Sequence, residues 1–414
     1  MMFIKVLRGS ARSPFFGERN MIRCCFFVGL ALFVVGCATP QYRPPSIKQA
    51  DIRAEYDRQN AERKEEFRKS LLNRESQVEW LANLSWPLRV AAAIYSEDSQ
   101  VEPEFGFSTL SIEDLRDEPE PYKKDVYYEV YDLSSPSSRT ITFIVDNSPA
   151  QRAGLKVGDR IIAVDGKKFK DKKEFGRFVT LDLYLYFGPY IPPKAKRWFP
   201  VKTFTVVRDS DTIDIPIRPT RVSKYRVHLT KNKKIAAFAN GVSVYISKGM
   251  MDFVESDEEL QYIIAHELAH NVEQHLEKRK DNAFLAGLIG ATLDVFFARY
   301  TGIYVGLEGV GIRDGVYMYS KDFERESDYL AMYMLANAGI STSKVADIWR
   351  RMSEKDGDSA IYSLTHPSYS ERYLSLLSVD REIQEKRRAG LPIRPNKGRK
   401  NDSFIKLRPN VIKK

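Results

Sequence analysis

Cysteine is scarce in this chain of 414 residues. The three cysteines, Cys24, Cys25 and Cys37, lie in or beside one apolar run near the start, and none follows. This distribution excludes a disulfide framework. It also leaves histidine and carboxylate side chains as the plausible ligands for any metal ion bound by the rest of the chain.

Histidine is nearly as scarce, with five in the whole chain, and two of these form the pattern His266-Glu267-x-x-His270. A capping box at Ser256 and apolar residues at helical spacing predict a helix from residue 256 to about residue 278. On that helix the two histidines lie on one face and can share a metal ion, while Glu267 can reach a water on the ion as general base. An ordinary surface or core pair of histidines is the alternative, but the complete pattern favours a metal-assisted hydrolase.

The body of the chain lacks an excess of charge of either sign. The net charge is +10, but residues 381–414 hold twelve basic and three acidic side chains and so carry +9 of it. Nucleic acid is therefore not an expected partner. Residues 379–414 are predicted to be a basic, disordered tail, which either solubilises the chain or contacts anionic lipid or cell-wall polymer.

The apolar run at residues 24–36 has 13 residues and follows two arginines, and it is too short to span a bilayer. It is typical of the core of a signal peptide, with a short core helix as the alternative. Its end, Val-Val-Gly-Cys37, resembles a bacterial lipobox. The resemblance implies a signal peptide at 1–36 and lipidation of Cys37 in the cell envelope. Ala38 resembles the sorting signal for the outer membrane, facing the periplasm.

The pattern changes to strand periodicity near residue 140. Residues 147–166, NSPAQRAGLKVGDRIIAVDG, closely resemble a PDZ domain. The resemblance implies a β-rich domain at 111–220 that binds an extended peptide by strand addition, usually at its carboxyl terminus. Phe105-Gly106-Phe107 has the form of the loop that binds such a carboxylate, but we favour a turn in the core, since the first clear strand comes much later.

Two histidines leave a metal ion under-coordinated, and hydrolytic zinc sites commonly add a carboxylate from elsewhere. Downstream, residues 323–335 predict a helix on which Glu324 and Asp328 share a face. One of the two can bind the metal while the other accepts the N–H of a ligating histidine. A solvated acidic face is the alternative. Glu326, between them, points away.

Two further segments surround this pattern. Three strands are predicted before the first helix, at 225–230, 234–239 and 242–247, and a strand edge beside a metal site can pair with the backbone of a substrate. An ordinary sheet over the core is the alternative. The apolar segment 283–311 is interrupted by Asp294 and is not predicted to span a membrane. A lid, a bilayer-facing hairpin and plain core remain open for it.

Residues 234–376 resemble the family of zinc metallopeptidases typified by the CAAX prenyl endopeptidase, the HtpX membrane protease and the periplasmic protease BepA. The resemblance rests on three motifs: HELAH, Glu324-x-Glu-x-Asp328, and Thr365-His366-Pro367 followed by Arg372. It implies that one Zn²⁺ ion has three protein ligands, namely His266, His270 and Glu324. It further implies that Glu267 is the general base and that Asp328 orients a ligand.

His366 and Arg372 match a loop that approaches the active site in that family. His366 is open to three roles: stabilising the transition state, silencing the metal as a fourth ligand, or supporting a proline turn. Arg372 is a candidate oxyanion donor. Two positions depart from the family pattern: Ser327 replaces the usual Ala, and Ala236 replaces an Asn, so that any substrate contact of that Asn is absent or moved to Asn240.

The sequence thus predicts an α+β protein with a mainly helical, zincin-type metallopeptidase domain and small sheet at 221–378, plus the inserted PDZ domain. Residues 37–75 are predicted to be a tether and a charged helix, and residues 76–110 a helix of the protease domain whose apolar face is broken only by Pro87. The expected function is zinc-dependent cleavage of misfolded or assembling envelope proteins. The alternatives are a chaperone-like assembly factor or PDZ binding module with dormant proteolysis, and a cell-wall amidase.

Overall fold

The computed structural model describes residues 45–133, 135, 137–179, 199–281, 321–356 and 367–396. Several predictions concern residues outside these ranges: the signal peptide at 1–36, the lipidated Cys37, the start of the tether at 38–44, the apolar segment 283–311, His366 and the part of the tail at 397–414. Internal contacts divide the chain into two compact units, residues 1–60 and residues 61–414. The described part of the first unit is helical from Gln49 and exposed to solvent, and the second unit contains the sheets.

Helices and strands both contribute to the described structure. The helices are α1 (Gln49–Ala92), α2 (Pro121–Tyr131), α3 (Pro149–Arg152), α4 (Lys172–Val179), α5 (Lys248–Phe253), α6 (Asp257–Val272), α7 (His275–Asp281), α8 (Lys321–Asn337), α9 (Asp347–Asp356) and α10 (Tyr369–Arg388). The strands are β1 (Val101–Glu104), β2 (Phe107–Leu110), β3 (Arg139–Ile144), β4 (Arg160–Val164), β5 (Lys167–Lys168), β6 (Lys202–Arg208), β7 (Asp211–Ile217), β8 (Thr220–Ser223), β9 (Arg226–Thr230), β10 (Ala237–Ala239) and β11 (Ser243–Ser247). The predicted α+β class is confirmed. No helix within the described ranges is long and apolar enough to cross a bilayer.

Six strands form the largest sheet, in the antiparallel order β2-β3-β4-β6-β7 with β5 paired to β4. Apolar residues that alternate along these strands, such as Ile141, Ile161 and Phe204, are fully buried in one core. The sheet already includes β2, which starts at Phe107, ahead of the predicted start of the PDZ domain at residue 111. A long connection that contains α2 separates β2 from β3, where the strand pattern in the sequence becomes clear. The predicted domain start therefore missed β2.

Gly106 makes the turn that leads into β2. Its φ of +81° is a conformation that other residues disfavour, and a Cβ atom here would lie 2.2 Å from Cβ of Ser148. Phe105, just before it, is buried in the sheet core against Phe204. Phe105-Gly106-Phe107 is therefore both a turn in the core and the loop at the start of an edge strand. Its interpretation as a carboxylate-binding loop remains a prediction.

Helix α1 contributes to two separate cores. Leu84 and Leu88 pack into the core that also contains α6 and α8, whereas Trp86 packs with Val145 after β3. The helix continues through Pro87. Burying a leucine stabilises a fold by roughly 1.5–3 kcal/mol, which offsets the roughly 3 kcal/mol that an internal proline costs a helix.

The charged part of α1 is not wholly solvated, because α2 packs against it. The ring of Phe67 lies 6.2 Å from that of Tyr122 and 5.8 Å from that of Tyr127. Leu71 is buried. The segment predicted as a charged helix thus has one narrow apolar side, which α2, in the connection between β2 and β3, covers.

A three-stranded sheet in the order β10-β11-β9 lies against α6. Strands β9 and β11 are parallel, and β10 is antiparallel to β11 at the edge. Asn271 of α6 holds the β10–β11 turn, since its Oδ1 accepts from Gly241 N–H at 2.8 Å and its Nδ2 donates to Ser243 O at 3.1 Å. Asn240 Oδ1 accepts from Val242 and Ser243 N–H within the same turn, so this amide supports the hairpin.

The predicted tail at 379–414 starts too early. Helix α10 continues to Arg388, and Val379 and Ile383 are buried in the same core as α6 and α8. Basic residues end the helix, where the helix dipole favours positive charge. These basic residues therefore belong to a helix that packs against the core. A run of basic residues is not by itself the start of a disordered segment here.

Candidate metal centre

Helix α6 is buried along almost its whole length, from Glu259 to Val272. It starts as predicted, because Ser256 Oγ accepts a hydrogen bond from Glu259 N–H at 3.3 Å. It ends earlier than predicted. Gln274 adopts the left-handed backbone conformation with φ of +53°, and α7 begins after this break at His275.

Three side chains of α6 and α8 meet at one point. Nε2 of His266 and Nε2 of His270 are 3.1 Å apart, and oxygens of Glu324 lie 3.6 Å from the first and 3.4 Å from the second. One ligand atom from each residue lies within 4.8 Å of the others. A tetrahedral zinc ion with bonds of about 2.1 Å separates its ligand atoms by roughly 3.4 Å. These residues fit one divalent metal ion, with Glu324 as the carboxylate ligand.

Glu267 is buried beside this cluster, and burial raises the pKa of its carboxyl group to about 7. Its carboxylate accepts a hydrogen bond from the backbone of Ala239, the last residue of β10. A carboxyl group with a pKa near neutrality can both take up and release a proton. The structure thus places a buried carboxyl group with a raised pKa beside the three candidate ligands and beside an edge strand.

Asp328 contacts His266 at the ring nitrogen that does not face the cluster. Nδ1 of His266 is 2.9 Å from Asp328 Oδ1. A proton on Nδ1 leaves Nε2 available to a metal ion. Tyr262 donates its hydroxyl proton to the same oxygen at 2.5 Å, and Trp349 Nε1 donates to the Tyr262 oxygen at 3.1 Å. The ring of His266, a candidate ligand, is therefore oriented by a buried hydrogen-bond network.

Arg372 is buried behind Asp328. Its Nε and Nη2 donate to the two carboxylate oxygens of Asp328 at 2.9 and 2.6 Å, and its Nη1 lies 3.5 Å from Glu324 Oε2. The guanidinium also lies over the ring of Trp349, 3.6 Å from the centroid. These contacts favour a positioning role over the candidate role as oxyanion donor. His366 lies outside the described residues, and its three roles remain predictions.

Three buried carboxylates lie around the candidate ligands, and without a metal ion the positive charges beside them are Arg372 and the proton on His266. Glu267, Glu324 and Asp328 are all buried, and the guanidinium that contacts two of them belongs to Arg372. A buried carboxylate without a compensating charge is costly. A divalent cation that replaced the proton on His266 would compensate these carboxylates, so the electrostatics of the site also fit a metal ion.

The two ligand histidines differ in basicity. Burial lowers the pKa of His270 to about 3, which keeps its ring neutral, as a metal ligand must be. Burial and the positive charge of Arg372 also act to lower the pKa of His266. Its hydrogen bonds with Asp328 and Glu324 outweigh them and raise this pKa to about 9. A metal ion must therefore displace a proton from His266.

A third histidine, His275, contacts the cluster and was not found from the sequence. Its ring is fully buried, with Nδ1 3.0 Å from Nδ1 of His270 and Nε2 3.1 Å from Oε2 of Glu326. Ser327 Oγ lies 3.3 Å from its Nδ1, and the ring of Phe323 stacks on it at 4.3 Å. Glu326, predicted to point away from the site, reaches it through His275.

Helix geometry explains why this residue escaped sequence analysis. On a continuous helix, a residue five positions after His270 is rotated by roughly 140° and lies on another face. The break at Gln274 turns the chain and brings His275 back to His270. The one available signal was a third histidine so close to the pair in a chain with only five.

Comparison with known proteins identifies two regions. Residues 208–379 match Peptidase family M48, and residues 140–180 match a PDZ domain. The first match includes the three candidate ligands. These matches confirm the resemblance to zinc metallopeptidases and to PDZ domains that the sequence motifs indicated.

Individual relatives match only part of the chain. Mitochondrial metalloendopeptidase OMA1 of Schizosaccharomyces pombe is 24% identical over 170 residues, covering 40% of this chain and 49% of that protein. A putative beta-barrel assembly-enhancing protease of Vibrio cholerae is 27% identical over 135 residues, covering 31% of this chain and 28% of that protein. The chain thus spans about half or less of the length of these relatives. The HtrA3 PDZ domain bound to a phage-derived ligand covers 30% of this chain and 88% of its own, at 22% identity and a TM-score of 0.19.

Proposed function

Because the chain carries a Peptidase family M48 domain and a PDZ domain, we propose that it is a zinc-dependent metalloendopeptidase. The observation that carries this proposal is the convergence of His266, His270 and Glu324, whose ligand atoms lie within 4.8 Å of one another beside the buried Glu267. We assign residues 221–388 and the second half of α1 to the catalytic domain, since buried residues from the described parts of both share one core.

In this proposal two imidazoles and one carboxylate hold the zinc ion, a donor set typical of hydrolytic zinc sites. A bound zinc ion supplies Lewis acidity, which activates a water molecule and polarises the peptide carbonyl. Glu267 takes the proton that the attacking water loses and gives it to the nitrogen of the leaving amine. The C–N bond breaks, and the products are a carboxylate and an amine. A pKa near 7 suits Glu267 to both transfers.

The substrate that this site fits is an extended polypeptide segment. Strand β10 is the edge of the small sheet, and its last residue, Ala239, contacts Glu267. A substrate strand paired with this edge would pass its backbone beside Glu267. Segments of misfolded or assembling proteins are extended and accessible in this way, and we propose these as substrates, with the PDZ domain binding a peptide of the same or another protein.

The proposed location is the bacterial cell envelope, with the chain anchored in the outer membrane through a lipid on Cys37 and facing the periplasm. The resemblance of residues 34–37 to a lipobox supports this anchor, and relatives named as beta-barrel assembly-enhancing proteases support an envelope location. Mass spectrometry of the purified full-length chain tests it. A lipid mass on Cys37 is expected, and an unmodified residue with an intact leader would contradict the proposal.

Replacing the proposed general base tests the reaction itself. Glu267→Gln keeps the size of the side chain but cannot accept a proton, so hydrolysis of an unfolded protein should slow by about 10²- to 10⁴-fold. Zinc content should remain near one ion per chain, since Glu267 is not a proposed ligand. Glu258→Gln, a matched change on the same helix outside the cluster, should retain full activity. Full activity of Glu267→Gln would refute the mechanism.

A chaperone-like assembly factor remains the second candidate, favoured by the PDZ match at residues 140–180. In that case the chain would hold client proteins, and proteolysis would be dormant. Complementation of a deletion strain separates the two functions. Rescue by Glu267→Gln would support the chaperone function, whereas failure to rescue, together with trapping of uncleaved client, would support the protease.

A further inference from the structure

His275 has two ring nitrogens in a fully buried position, and each nitrogen has a polar partner. Nδ1 lies 3.0 Å from Nδ1 of His270, and Nε2 lies 3.1 Å from Oε2 of Glu326. Buried polar atoms require such partners. The two contacts form a continuous path from a candidate metal ligand on α6, through α7, to a carboxylate on α8.

One arrangement of protons satisfies this path. Nε2 of His270 is the candidate ligand atom, since it lies 3.4 Å from Glu324 Oε1 and 3.1 Å from His266 Nε2. A neutral imidazole that binds metal through Nε2 carries its proton on Nδ1 and donates it. Nδ1 of His275 must then accept that hydrogen bond. The proton of His275 is therefore on Nε2, from which it is donated to Glu326.

We propose that His275 is a positioning residue that, together with Glu326, fixes the tautomer and orientation of His270 and thereby sets the affinity of the site for zinc. This inference rests on the proposed zinc site. The two ligand histidines are thus oriented differently: His266 reaches the carboxylate of Asp328 directly, whereas His270 reaches that of Glu326 through a second imidazole. The Glu326 side chain is 41% exposed, so this path links the buried ring of His270 to solvent.

The zinc affinity of the full chain, measured by competition with a chromophoric chelator, tests the inference. His275→Leu retains most of the volume but offers no acceptor to His270. His275→Asn leaves more empty space but places an amide oxygen near the position of Nδ1. A positioning role predicts that the Leu variant binds zinc about 10- to 100-fold more weakly and the Asn variant less than about 5-fold more weakly. A packing role predicts the reverse order, because Leu fills the space better.

Wild-type affinity in the Leu variant, or a larger loss in the Asn variant, would overturn the inference. If the Leu variant does not fold, Glu326→Ala decides, because its side chain is partly exposed. The matched control is Asp322→Ala, which removes a 71% exposed carboxylate one helical turn earlier. A loss of about 3-fold or more in zinc affinity for Glu326→Ala relative to this control supports the inference, and equal affinities refute it.

The tautomers can also be observed directly. Long-range ¹H–¹⁵N spectra of the zinc-loaded chain resolve the protonated nitrogen of each ring, and the chain has only five histidines. We expect protons on Nδ1 of His270 and on Nε2 of His275, and a proton on Nδ1 of His275 would refute the inference. Failure of the wild-type chain to bind zinc would refute the metal site itself, whereas unchanged affinity in the variants would refute only the role of His275.

Discussion

Arg372 and Asp328 form a two-point ion pair in the protein interior. Nη2 and Nε of the arginine lie 2.6 and 2.9 Å from the two carboxylate oxygens. Two parallel charge-assisted hydrogen bonds fix the plane of the carboxylate. That carboxylate contacts Nδ1 of His266 at 2.9 Å. A side chain on α10 therefore determines the orientation of a candidate metal ligand on α6.

Removing the arginine should destabilise the fold strongly. Arg372→Met leaves Asp328 buried without its partner, and such a change costs about 3–5 kcal/mol. The free energy of unfolding, measured by chemical denaturation, should fall by this amount. In the double variant Arg372→Met/Asp328→Asn, the loss should be smaller than the sum of the two single losses, because the carboxylate that makes the two-point ion pair is removed together with the arginine. Strict additivity would show that the two side chains are energetically independent.

Zinc should stabilise the chain through the three proposed ligands. A ligand that binds only the folded state stabilises it by about 4 kcal/mol at a thousandfold excess over its dissociation constant. Thermal unfolding of the metal-free chain should therefore shift upward when zinc is added. Glu324→Gln retains the shape of the side chain but removes the anionic donor, and its midpoint should respond little. An equal shift in this variant would argue against Glu324 as a ligand.

Gly106 should tolerate no side chain, because both its conformation and its surroundings exclude one. Its φ is +81°, and a Cβ atom would lie 2.2 Å from Cβ of Ser148. Gly154 has a similar φ of +84° but no atom within 4 Å of its Cβ position. Gly154→Ala should cost about 1–2 kcal/mol of stability from backbone strain alone, and Gly106→Ala clearly more. Equal losses in chemical denaturation would mean that the contact with Ser148 relaxes freely.

Glu382 should make stability depend on pH in the acidic range. Hydroxyl groups of Tyr333 and Tyr329 and nitrogens of Lys386 and Asn396 all donate to its Oε1 at 2.6–2.9 Å. Partial burial acts to raise its pKa, but these hydrogen bonds outweigh it and hold the pKa below the usual 4.5. A carboxyl group with a lowered folded-state pKa stabilises the fold above its unfolded pKa, and this contribution is lost as the pH falls through the folded pKa.

The variant Glu382→Gln should therefore lose less stability than the wild type between about pH 7 and about pH 3. Denaturation curves recorded across this range measure the difference. Glu385→Gln, an exposed position on the same helix, provides the control and should follow the wild type. Parallel curves for wild type and Glu382→Gln would show that the hydrogen-bonded cluster contributes no pH dependence.

The part of the site that could be predicted from the sequence depends on residues that lie only a few positions apart in the chain. The spacing of His266 and His270 on one helix face and the cap at Ser256 are local features, and sequence patterns report them well. The choice of Glu324 over Asp328 as the nearest carboxylate depends on how α8 packs against α6, because both residues share one face. Without long-range contacts the pattern left both open.

Features that depend on chain breaks and distant pairing could not be predicted. No glycine or proline marks the break at Gln274, so the predicted helix ran through it and His275 was not recognised as a neighbour of His270. Strand β2 pairs with β3 across a long connection, and four residues carry too little periodicity to be recognised alone. The end of α10 was missed because a run of basic residues hid the buried positions Val379 and Ile383.

Helix α1 is shared by two hydrophobic cores. Leu84 and Leu88 pack into the core that contains α6 and α8, while Trp86 packs with Val145 and lies beside the turn at Gly106. Inserting one residue between Leu84 and Trp86 would rotate the part of the helix before the insertion by roughly 100° relative to the part after it. The two cores therefore share the helical phase of this segment, and neither can change it without disturbing the other.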